Sequence, residues 1–308
     1  MSIRPAEKTK ALIESAQLAD NGIGYARCME ETLKEIQFGA TVSGPRRSLG
    51  ASSIGSDCVR SAWYEWRWSN ASNILSCEND ATSARMMRLL NRGHLEEARL
   101  VALFKQAGID IYHVDDKGKQ FGKKDFNGHF KMYIDGFILG CPDVPDGSPV
   151  LLEFKTHSHW SFTPLQNKGL IETKNTHYIQ MQMYMGYFEF KHGLYVGVNK
   201  NNDDIEMLIV DFDEEIFEQY KTIARMLIEG KTPKRIKDYG EKCKACKFCN
   251  YKEECFSKKR PARNCRTCTH GRPGGEGVWV CDKYKRELNM EAQIKGCKSY
   301  KVNSGFIE

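Results

Sequence analysis

The chain has 308 residues, of which 41% are hydrophobic and 28% charged, and a formal net charge of +6. This composition is that of a folded protein with one substantial core and room for a smaller appendage. Twelve cysteines are too few for a disulfide scaffold, and no apolar run is long enough to cross a bilayer. The first residues, MSIRPAEKTK, lack the apolar segment of a signal peptide. We therefore expect a soluble, cytoplasmic protein without membrane contacts, whose cysteines bind metal rather than form disulfides.

The charge is distributed unevenly along the chain. From residue 231 to the C-terminus there are 20 Lys and Arg against 9 Asp and Glu, whereas the preceding residues carry 26 basic and 31 acidic side chains. A basic region on a mildly acidic body fits a protein that contacts a phosphate backbone and holds a metal ion in an acidic site. A solvated basic tail that only keeps the protein soluble fits the same charge distribution.

In chain order, the sequence first predicts one or two helices and then a loop rich in glycine, serine and proline that runs up to residue 57. A helix follows, with Ser56 or Asp57 as its N-cap, and it carries Cys58 and four aromatic side chains. We interpret these aromatic residues as core, with base stacking as the rarer use. Residues 81–107 form the longest helical pattern, interrupted in its middle by a glycine and ended by Gly108.

The rest of the body alternates between strand and helix patterns. The sequence predicts strands at 109–115, 128–139 and 150–156, a short helix or loop at 157–170, a helix at 173–190, strands at 194–200 and 206–212, and a helix at 214–229. This succession predicts an α/β fold with a central mixed β-sheet flanked by helices, followed by a cysteine-rich C-terminal segment. No phosphate-binding loop of the G-x-x-x-x-G-K-[ST] type occurs, so the chain carries no motor of that class.

Two predicted strands carry side chains that suit metal-assisted phosphodiester cleavage. Asp135 precedes a glycine on the first strand, and Glu153 and Lys155 lie two apart on the second, where alternate side chains share a face. Two carboxylates bind a hard divalent cation through oxygen, and a lysine amine can orient or deprotonate the attacking water. The same residues also occur on solvated strand faces that have no function.

The combination of Asp135 with Glu153, Phe154 and Lys155 resembles the PD-(D/E)XK nuclease superfamily, although Ile134 stands at the position of the name-giving proline. The resemblance implies a restriction-endonuclease-like core in which the two acids and the Phe154 carbonyl hold Mg2+ or Mn2+. It also implies that Lys155 assists the water that attacks phosphorus in line.

Three further residues resemble positions of the RecB-like members of this superfamily. His94 lies on the helix upstream of the acid strand, where those nucleases carry a histidine that binds the same metal. Gln180 and Tyr184 match their Gln-x-x-x-Tyr element, which faces the catalytic strands and contacts DNA. The alternatives are a half-buried packing histidine, a surface amide and a core tyrosine. Gln182 is the other glutamine near Tyr184, but residues two apart do not share a helical face.

The cysteines extend the resemblance over residues 55–256. Cys58 upstream of the core and Cys246, Cys249 and Cys255 downstream of it resemble the iron–sulfur nucleases of the AddB type and their CRISPR-associated relatives. The resemblance implies that these four thiolates hold one [4Fe–4S] cluster, which staples the two ends of the core together. Cys243 is a spare thiol that could replace Cys246 as a ligand.

A second group of cysteines lies in the C-terminal segment. Cys265, Cys268, Cys281 and Cys297 form an all-cysteine set of the kind that holds structural zinc in a segment too small for its own core, with His270 as a reserve ligand. A disordered basic tail is the alternative. Basic side chains of this segment are candidates for DNA contact, namely Arg263, Arg266, Arg272, Lys283, Lys285 and Arg286.

These features predict three domains, at residues 1–54 (helices and loop), 55–260 (nuclease core with its iron–sulfur staple) and 261–308 (zinc-binding basic tail). The predicted function is a divalent-metal-dependent DNA exonuclease acting on single-stranded ends, with 5′→3′ polarity favoured, in a bacterial cell or a phage-infected host. The alternatives are an end-processing factor that works with protein partners in a CRISPR-type or recombination complex, and a non-catalytic nucleic-acid-binding module.

Overall fold

The structure is a computed structural model, and it describes residues 2–35, 45–71, 81–230, 232–236, 243–247, 249–257 and 259–307. The chain divides into two compact units. The first comprises Met1–Val42, Asn79–Lys123 and Met132–Phe217, and the second comprises Ser43–Glu78, Lys124–Lys131 and Glu218–Glu308. These boundaries differ from the predicted ones at residues 54 and 260, because residues 43–78 group with the C-terminal part of the chain.

The helices and strands have the following bounds. The α-helices are α1 (Glu7–Ala19), α2 (Ile23–Glu35), α3 (Ala51–Ile54), α4 (Val59–Trp66), α5 (Ala81–Gln106), α6 (His159–Phe188), α7 (Glu214–Ile228), α8 (Lys244–Lys247), α9 (Lys252–Phe256) and α10 (Met290–Lys295). The strands are β1 (Ile3–Pro5), β2 (Leu49–Gly50), β3 (Asp110–Tyr112), β4 (Gly122–Asp125), β5 (Phe130–Tyr133), β6 (Gly136–Leu139), β7 (Val150–His157), β8 (His192–Asn199), β9 (Ile205–Asp211), β10 (Gly271–Pro273), β11 (Trp279–Cys281) and β12 (Arg286–Leu288).

The first unit is built on a six-stranded sheet with the strand order β1-β9-β8-β7-β6-β3. β7 and β8 run parallel and are joined through α6, while the other neighbours in the sheet are antiparallel. A parallel pair needs a crossover connection, and α6 provides it. The backbone of α6 is not helical at Gly169 and Lys174, so α6 consists of two helices joined by a kink, near the predicted break between 170 and 173. The predicted fold class, an α/β protein with a central mixed sheet flanked by helices, is confirmed.

One face of this sheet packs against α5 and forms the core. Val101 and Phe104 of α5 are fully buried, and they belong to the same apolar cluster as Leu152 and Phe154 of β7. The rings of Phe104 and Phe154 lie 6.1 Å apart. Truncation of a buried phenylalanine of this kind costs about 3–5 kcal/mol. α5 continues without a break through Gly93, which was predicted to interrupt it.

Glycines fix the ends of two elements that lead to the site. Gly108 has φ +71°, and the Ile109 N–H donates to the Phe104 carbonyl, which closes the C-terminus of α5 as a left-handed glycine cap does. Gly136 has φ +142°, and a Cβ there would lie 2.5 Å from the Tyr112 carbonyl oxygen. The backbone therefore bends sharply after Asp135, and the predicted strand 128–139 splits into β5 and β6 at this residue.

The second unit packs tryptophans from two distant parts of the sequence. The rings of Trp66 and Trp279 lie 5.0 Å apart, and those of Trp63 and Phe306 lie 4.4 Å apart. Trp63 and Trp279 are fully buried. These contacts are the physical reason that residues 43–78 belong with the C-terminal segment, which forms a three-stranded antiparallel sheet, β10-β11-β12.

Within the described ranges, no helix is both long and apolar enough to cross a membrane.

Candidate functional site

The first unit brings Asp135, Glu153 and Lys155 together where β6 begins beside β7. The Phe154 N–H donates a hydrogen bond to Asp135 Oδ2 at 2.8 Å, which ties the Asp135 carboxylate to β7. Lys155 Nζ forms an ion pair with Glu153 Oε1. The period of two along β7 places Glu153 and Lys155 on the same face, as the sequence predicts.

Glu153 is an unusual residue of this group because its side chain is fully buried. Its Oε1 contacts Lys155, but its Oε2 is buried and has no hydrogen-bond partner among the described residues. A buried carboxylate oxygen without a partner is costly. This orphaned atom is the kind of group that a bound cation would satisfy.

A third carboxylate, from Glu97 on α5, joins the site. Glu97 lines a cavity of about 270 Å3 together with Asp135, Phe154 and Lys155. Burial, followed by the nearby charge of Asp135, raises the pKa of Glu97 to about 8, although Lys155 opposes the shift. The protonation of Glu97 therefore depends on the charges of Asp135, Lys155 and Glu153. No role was predicted for Glu97 from the sequence.

The pKa values of the other members follow from the same crowding. Burial raises the pKa of Glu153 to about 7, with a further increase from Asp135 and an opposing decrease from Lys155. Burial also raises the pKa of Asp135. Burial alone would lower the pKa of Lys155, but Glu153, Asp135 and Glu97 outweigh it and raise that pKa. Lys155 is thus held as a cation at neutral pH.

The structure places His94 apart from this cavity. His94 is exposed on α5 and lines a neighbouring cavity of about 280 Å3, which it shares with Glu97 and His113. Asp135 and Lys155 line the other cavity. Among the acidic residues of α5, both Glu96 and Glu97 line the cavity of Asp135 and Lys155, and it is Glu97 whose pKa is raised by Asp135 and Glu153. A metal-binding role for His94 stays a prediction.

A signal for Glu97 was present in the sequence. Positions three, four and seven apart lie on one side of a helix, so Glu97 lies on the stripe of Val101 and Phe104, which are fully buried. His94 continues the same stripe by one turn toward the exposed end of α5. A carboxylate in an apolar stripe that faces a predicted acid strand is the pattern that would have identified it.

The pair Gln180 and Tyr184 lies on α6 as predicted, one turn apart. Gln180 Nε2 donates to the Tyr184 hydroxyl at 3.0 Å, and both side chains are buried. Gln182 points elsewhere, because its amide bonds to the Asp211 carbonyl and the Asp213 N–H at 3.0 and 2.8 Å. The structure therefore pairs Tyr184 with Gln180 rather than Gln182, while their contact with DNA stays a prediction.

A buried polar network borders the site on the same face of the sheet. The Tyr195 hydroxyl lies 2.7 Å from His157 Nε2 and 3.0 Å from His177 Nδ1. Tyr195 is the direct neighbour of Glu153 in the parallel strand pair, and His157 follows Lys155 by two residues on β7. Burial lowers the pKa of His157 to about 4 and that of His177 to about 3, with Lys155 adding to both decreases. The network is neutral at pH 7, and the sequence analysis missed it.

The five cysteines of the first predicted group lie near one another in the second unit. The pKa of Cys246 is raised by burial and then by Cys243, Cys58 and Cys249. The pKa of Cys249 is raised by burial, with further increases from Cys58 and Cys255. These shifts show that Cys58, Cys243 and Cys255 lie near Cys246 or Cys249, while the four-thiol [4Fe–4S] ligand set stays a prediction, with Cys243 as the spare thiol.

The second cysteine group lines a small cavity of about 10 Å3 in the same unit. Its walls include Cys265, Cys268, Cys281, Cys297 and His270. Burial raises the pKa of Cys265 to about 11, and the other three thiols add to the increase. The space corresponds to roughly one water-sized sphere.

In the part of the chain that the structure describes, no group of three or more His, Cys, Asp or Glu side chains is arranged so that it could hold a metal ion. The thiols, and likewise the three carboxylates, lie close enough to shift one another's pKa values, but not in the positions of ligands around one ion. The metal identities predicted from the sequence, Mg2+ or Mn2+, an iron–sulfur cluster and zinc, therefore remain proposals.

No protein-family model matches the chain, and no curated protein matches it. Solved structures align loosely. They include the alkaline exonuclease LHK-Exo from Laribacter hongkongensis, with a TM-score of 0.38 and 14% identity over 59% of this chain and 86% of that chain. LHK-Exo in complex with dAMP aligns with a TM-score of 0.39 and 12% identity over the same shares. The protein SSO0001 aligns with a TM-score of 0.37 and 15% identity over 76% of this chain and 94% of that chain. Because these alignments are loose, the function of this chain has to be argued from its own side chains.

Proposed function

We propose that this chain is a divalent-metal-dependent nuclease that hydrolyses DNA phosphodiester bonds. The observation that carries the proposal is the meeting of Glu97, Asp135 and Glu153 beside Lys155, with one buried Glu153 oxygen unpartnered. Three carboxylates beside one amine leave an excess of negative charge that a hard cation would neutralise. The resemblance of the sequence to RecB-like nucleases supports exonuclease action on single-stranded ends and a 5′→3′ polarity.

The oxygens of this site suit Mg2+ or Mn2+. Glu153 Oε2 needs a partner, and Asp135 lies beside it. In a strand, the N–H and C=O of one residue point to the same side. Because the Phe154 N–H donates to Asp135, the Phe154 carbonyl also faces Asp135 and would be a further ligand. Glu97 supplies another carboxylate from α5, and His94 stays a predicted ligand one turn away.

The lysine acts as a cation in this proposal. A bound divalent metal would supply Lewis-acid stabilisation of the charge that develops on the scissile phosphate. Lys155, whose pKa is raised, would orient the attacking water and stabilise the same charge rather than remove a proton. Of the two roles that the sequence allows for Lys155, the electrostatics favour orientation.

Gln180 and Tyr184 would position the DNA strand. Their mutual hydrogen bond fixes the two side chains on one face of α6, which connects the parallel strands β7 and β8. Two polar groups that hold each other in place present a defined geometry to a substrate, and this is the property that a positioning pair needs.

The cysteine groups of the second unit would hold structural metal. Gathered thiols in low-polarity surroundings have raised pKa values, and metal binding relieves this cost by replacing protons. We propose a [4Fe–4S] cluster on Cys58, Cys246, Cys249 and Cys255, with Cys243 as the alternative to Cys246. We propose zinc for the group of Cys265, Cys268, Cys281 and Cys297. The thiols that surround a cavity of about 10 Å3 suit a closed, all-cysteine site.

The proposed activity is tested with labelled single-stranded and double-stranded DNA in the presence of Mn2+. The Asp135→Asn variant keeps an acceptor for the Phe154 N–H but loses the charge, and Lys155→Met keeps the aliphatic stem but loses the amine. Asp110→Asn is the matched control, because Asp110 is an exposed residue of β3 in the same sheet. We expect cleavage by the parent and the control, and none by the two site variants.

Full cleavage by either site variant would refute the assignment of the site. If the parent retards DNA on a gel but leaves it intact, the chain is the non-catalytic binding module. The order in which products appear from 5′-labelled and 3′-labelled strands decides the polarity. Trimming that requires added protein partners would identify the end-processing factor.

A further inference from the structure

The second unit buries an arginine whose charge no carboxylate neutralises. Arg266 is 1% exposed, and its guanidinium lies 3.6 Å from the centre of the Trp68 ring and 4.9 Å from that of Trp279. The sequence suggests Arg266 as a surface contact for DNA, and the structure corrects this because the side chain is enclosed between two tryptophans.

The hydrogen-bond partners of Arg266 are all neutral. Its Nε donates to Gln293 Oε1 at 3.0 Å. One terminal nitrogen donates to the carbonyls of Trp66 and Arg46, at 3.1 and 3.3 Å, and the other donates to the Arg47 carbonyl at 3.0 Å. A guanidinium has five N–H groups and cannot lose its proton in a protein. Within the described ranges, Arg266 forms no ion pair, so its full charge remains uncompensated.

A second buried cation lies next to it. Arg67 is 3% exposed and donates to the Arg266 carbonyl at 3.0 Å, and its Nε has no hydrogen-bond partner among the described residues. Arg67 forms no ion pair with those residues either. Contacts with tryptophan rings stabilise each guanidinium by less than the cost of burying an unpaired ion.

Arg266 lies in the wall of an open cavity of about 480 Å3, and two exposed arginines, Arg47 and Arg286, line the same cavity. Glu287 is the single acidic side chain among the residues that line it, and it is exposed. Three guanidiniums against one carboxylate make this cavity basic, and planar guanidiniums match the oxygens of phosphate. The exposed Asn289, whose Oδ1 accepts from the Ala292 N–H, adds an amide NH2 group that can donate to the same oxygens.

We propose that the cavity lined by Arg47, Arg266 and Arg286 is a phosphate-binding site. Its ligand is a backbone phosphate of single-stranded nucleic acid, and the choice of this phosphate source rests on the proposed nuclease function. Arg266 makes no direct contact with the phosphate, because its donors are bound to Gln293 and to backbone carbonyls, and it contributes its positive charge from the buried wall of the cavity. Arg47 and Arg286 supply the contacts that close around the phosphate.

The test measures binding by fluorescence anisotropy, with the full chain carrying Asp135→Asn so that the proposed cleavage does not consume the probe. The probe is a labelled single-stranded oligonucleotide, titrated at several salt concentrations. The variant combines Arg47→Gln with Arg286→Gln. The matched control combines Lys298→Gln with Lys301→Gln, which removes the same charge from exposed side chains of the same unit that do not line the cavity.

We expect the arginine variant to bind the oligonucleotide about tenfold more weakly than its parent, and the lysine control to bind less than threefold more weakly. The slope of log K against log salt concentration falls by about 1.4 in the arginine variant, since two contacts to single-strand phosphates are lost. Thermal unfolding of both variants checks that they are folded.

Two results overturn the proposal. The first is oligonucleotide binding by the arginine variant within twofold of the parent. The second is equal weakening in the lysine control, which would show general charge attraction only. A parallel titration with a labelled mononucleotide distinguishes the phosphate sources, because tight mononucleotide binding that the arginine variant loses would replace nucleic acid by a free nucleotide. Failure of the parent chain to cleave DNA would refute the nuclease and leave this binding result intact.

Discussion

Each unit of the chain buries more charge of one sign than it neutralises. The excess is negative in the first unit and positive in the second. The first unit brings three carboxylates, Glu97, Asp135 and Glu153, to one lysine. The second unit buries the guanidiniums of Arg67 and Arg266 without an ion-pair partner among the described residues. Buried charges in proteins are normally paired or bound to metal. In the two proposals above, a bound cation would offset the excess charge of the first unit and a bound anion that of the second.

The two units differ in how each can lower the free-energy cost of its buried charge. A carboxylate whose pKa rises to 7 or 8 takes up a proton, so the excess charge of the first unit disappears as the pH falls. A guanidinium keeps its proton at every pH that a protein survives. The acidic site is consequently sensitive to pH, whereas the arginine cavity is not. The predictions that follow use this contrast.

The largest effect is expected at Glu153, whose buried oxygen has no partner. Glu153→Gln keeps the shape of the side chain but removes the charge that would hold the metal. We expect a loss of Mn2+-dependent DNA cleavage on the order of 10^3-fold, which corresponds to about 4 kcal/mol of transition-state stabilisation. Initial rates on a labelled single strand measure it.

The control for that variant is Glu206→Gln on β9 of the same sheet, which removes an equal charge away from the cavity. It should cleave at the rate of the parent. A Glu153→Gln protein that cleaves within tenfold of the parent would show that the buried carboxylate does not take part.

The next effect concerns the second unit, where Cys58 and the distant cysteines lie together. Cys58→Ser should abolish the absorbance of an iron–sulfur cluster in the visible range and lower Tm by about 5 °C or more, because metal binding contributes directly to folding. Cys28→Ser is the matched control, since Cys28 is a half-buried thiol of the first unit.

Metal analysis of the same proteins separates iron from zinc. Colourless parent protein that contains zinc alone would contradict the [4Fe–4S] assignment. Equal metal content in the parent and in Cys58→Ser would remove Cys58 from the ligand set.

The sequence predicts the acidic site better than the basic cavity, for a physical reason. Periodicity of two places Glu153 and Lys155 on one strand face, and this depends on local geometry alone. Glu97 was missed because a histidine one turn earlier matched a known pattern, although the helical stripe of Val101 already indicated that Glu97 is enclosed.

The environment of Arg266 could not be derived from the sequence, because it depends on contacts between residues about two hundred positions apart. Its neighbours Trp66 and Trp68 belong to a helical segment that the sequence assigns to the nuclease core, and they pack with Trp279 of the C-terminal segment. A basic residue in a basic segment suggests the surface. Only the tertiary arrangement shows that this arginine is buried.

A smaller effect follows from the pH sensitivity of the first unit. The pKa of Glu97 is about 8 in the folded state and near its ordinary value of 4.5 in the unfolded state. Between these values the folded chain holds a proton that the unfolded chain has lost, so stability falls as the pH rises through this window. Glu97→Gln does not titrate, and without added divalent metal it should be about 1–2 kcal/mol more stable than the parent at pH 8.5.

Urea unfolding at pH 5 and pH 8.5 measures this difference. At pH 5 the two proteins should be nearly equal in stability. Glu14→Gln, an exposed residue of α1, is the control and should follow the parent at both pH values. Addition of Mn2+ at pH 8.5 should stabilise the parent more than Glu97→Gln. An unchanged or lower stability of Glu97→Gln at pH 8.5 contradicts the crowding of carboxylates.

The smallest effect is expected in the network of His157, Tyr195 and His177. Its histidines change the stability with pH in the direction opposite to Glu97, because their pKa values are lowered rather than raised. The pKa of His177 is about 3 in the folded state and near 6.5 when unfolded. As the pH falls below 6.5, the unfolded chain binds a proton that the folded chain cannot, so stability decreases toward pH 4. His177→Asn keeps a polar atom near the Tyr195 hydroxyl and removes this proton. It should flatten the slope between pH 4.5 and 6.5 by about 0.5 kcal/mol per pH unit, below the limit of about 1.4 kcal/mol per pH unit for one full proton. The carboxylates of the site titrate with the opposite sign, but they are common to both proteins and cancel in the difference.

His159→Asn, an exposed position on α6, should keep the slope of the parent. Parallel slopes for His177→Asn and the parent would mean that His177 titrates normally, and the first unit would then contain excess carboxylate without a neutral histidine network beside it.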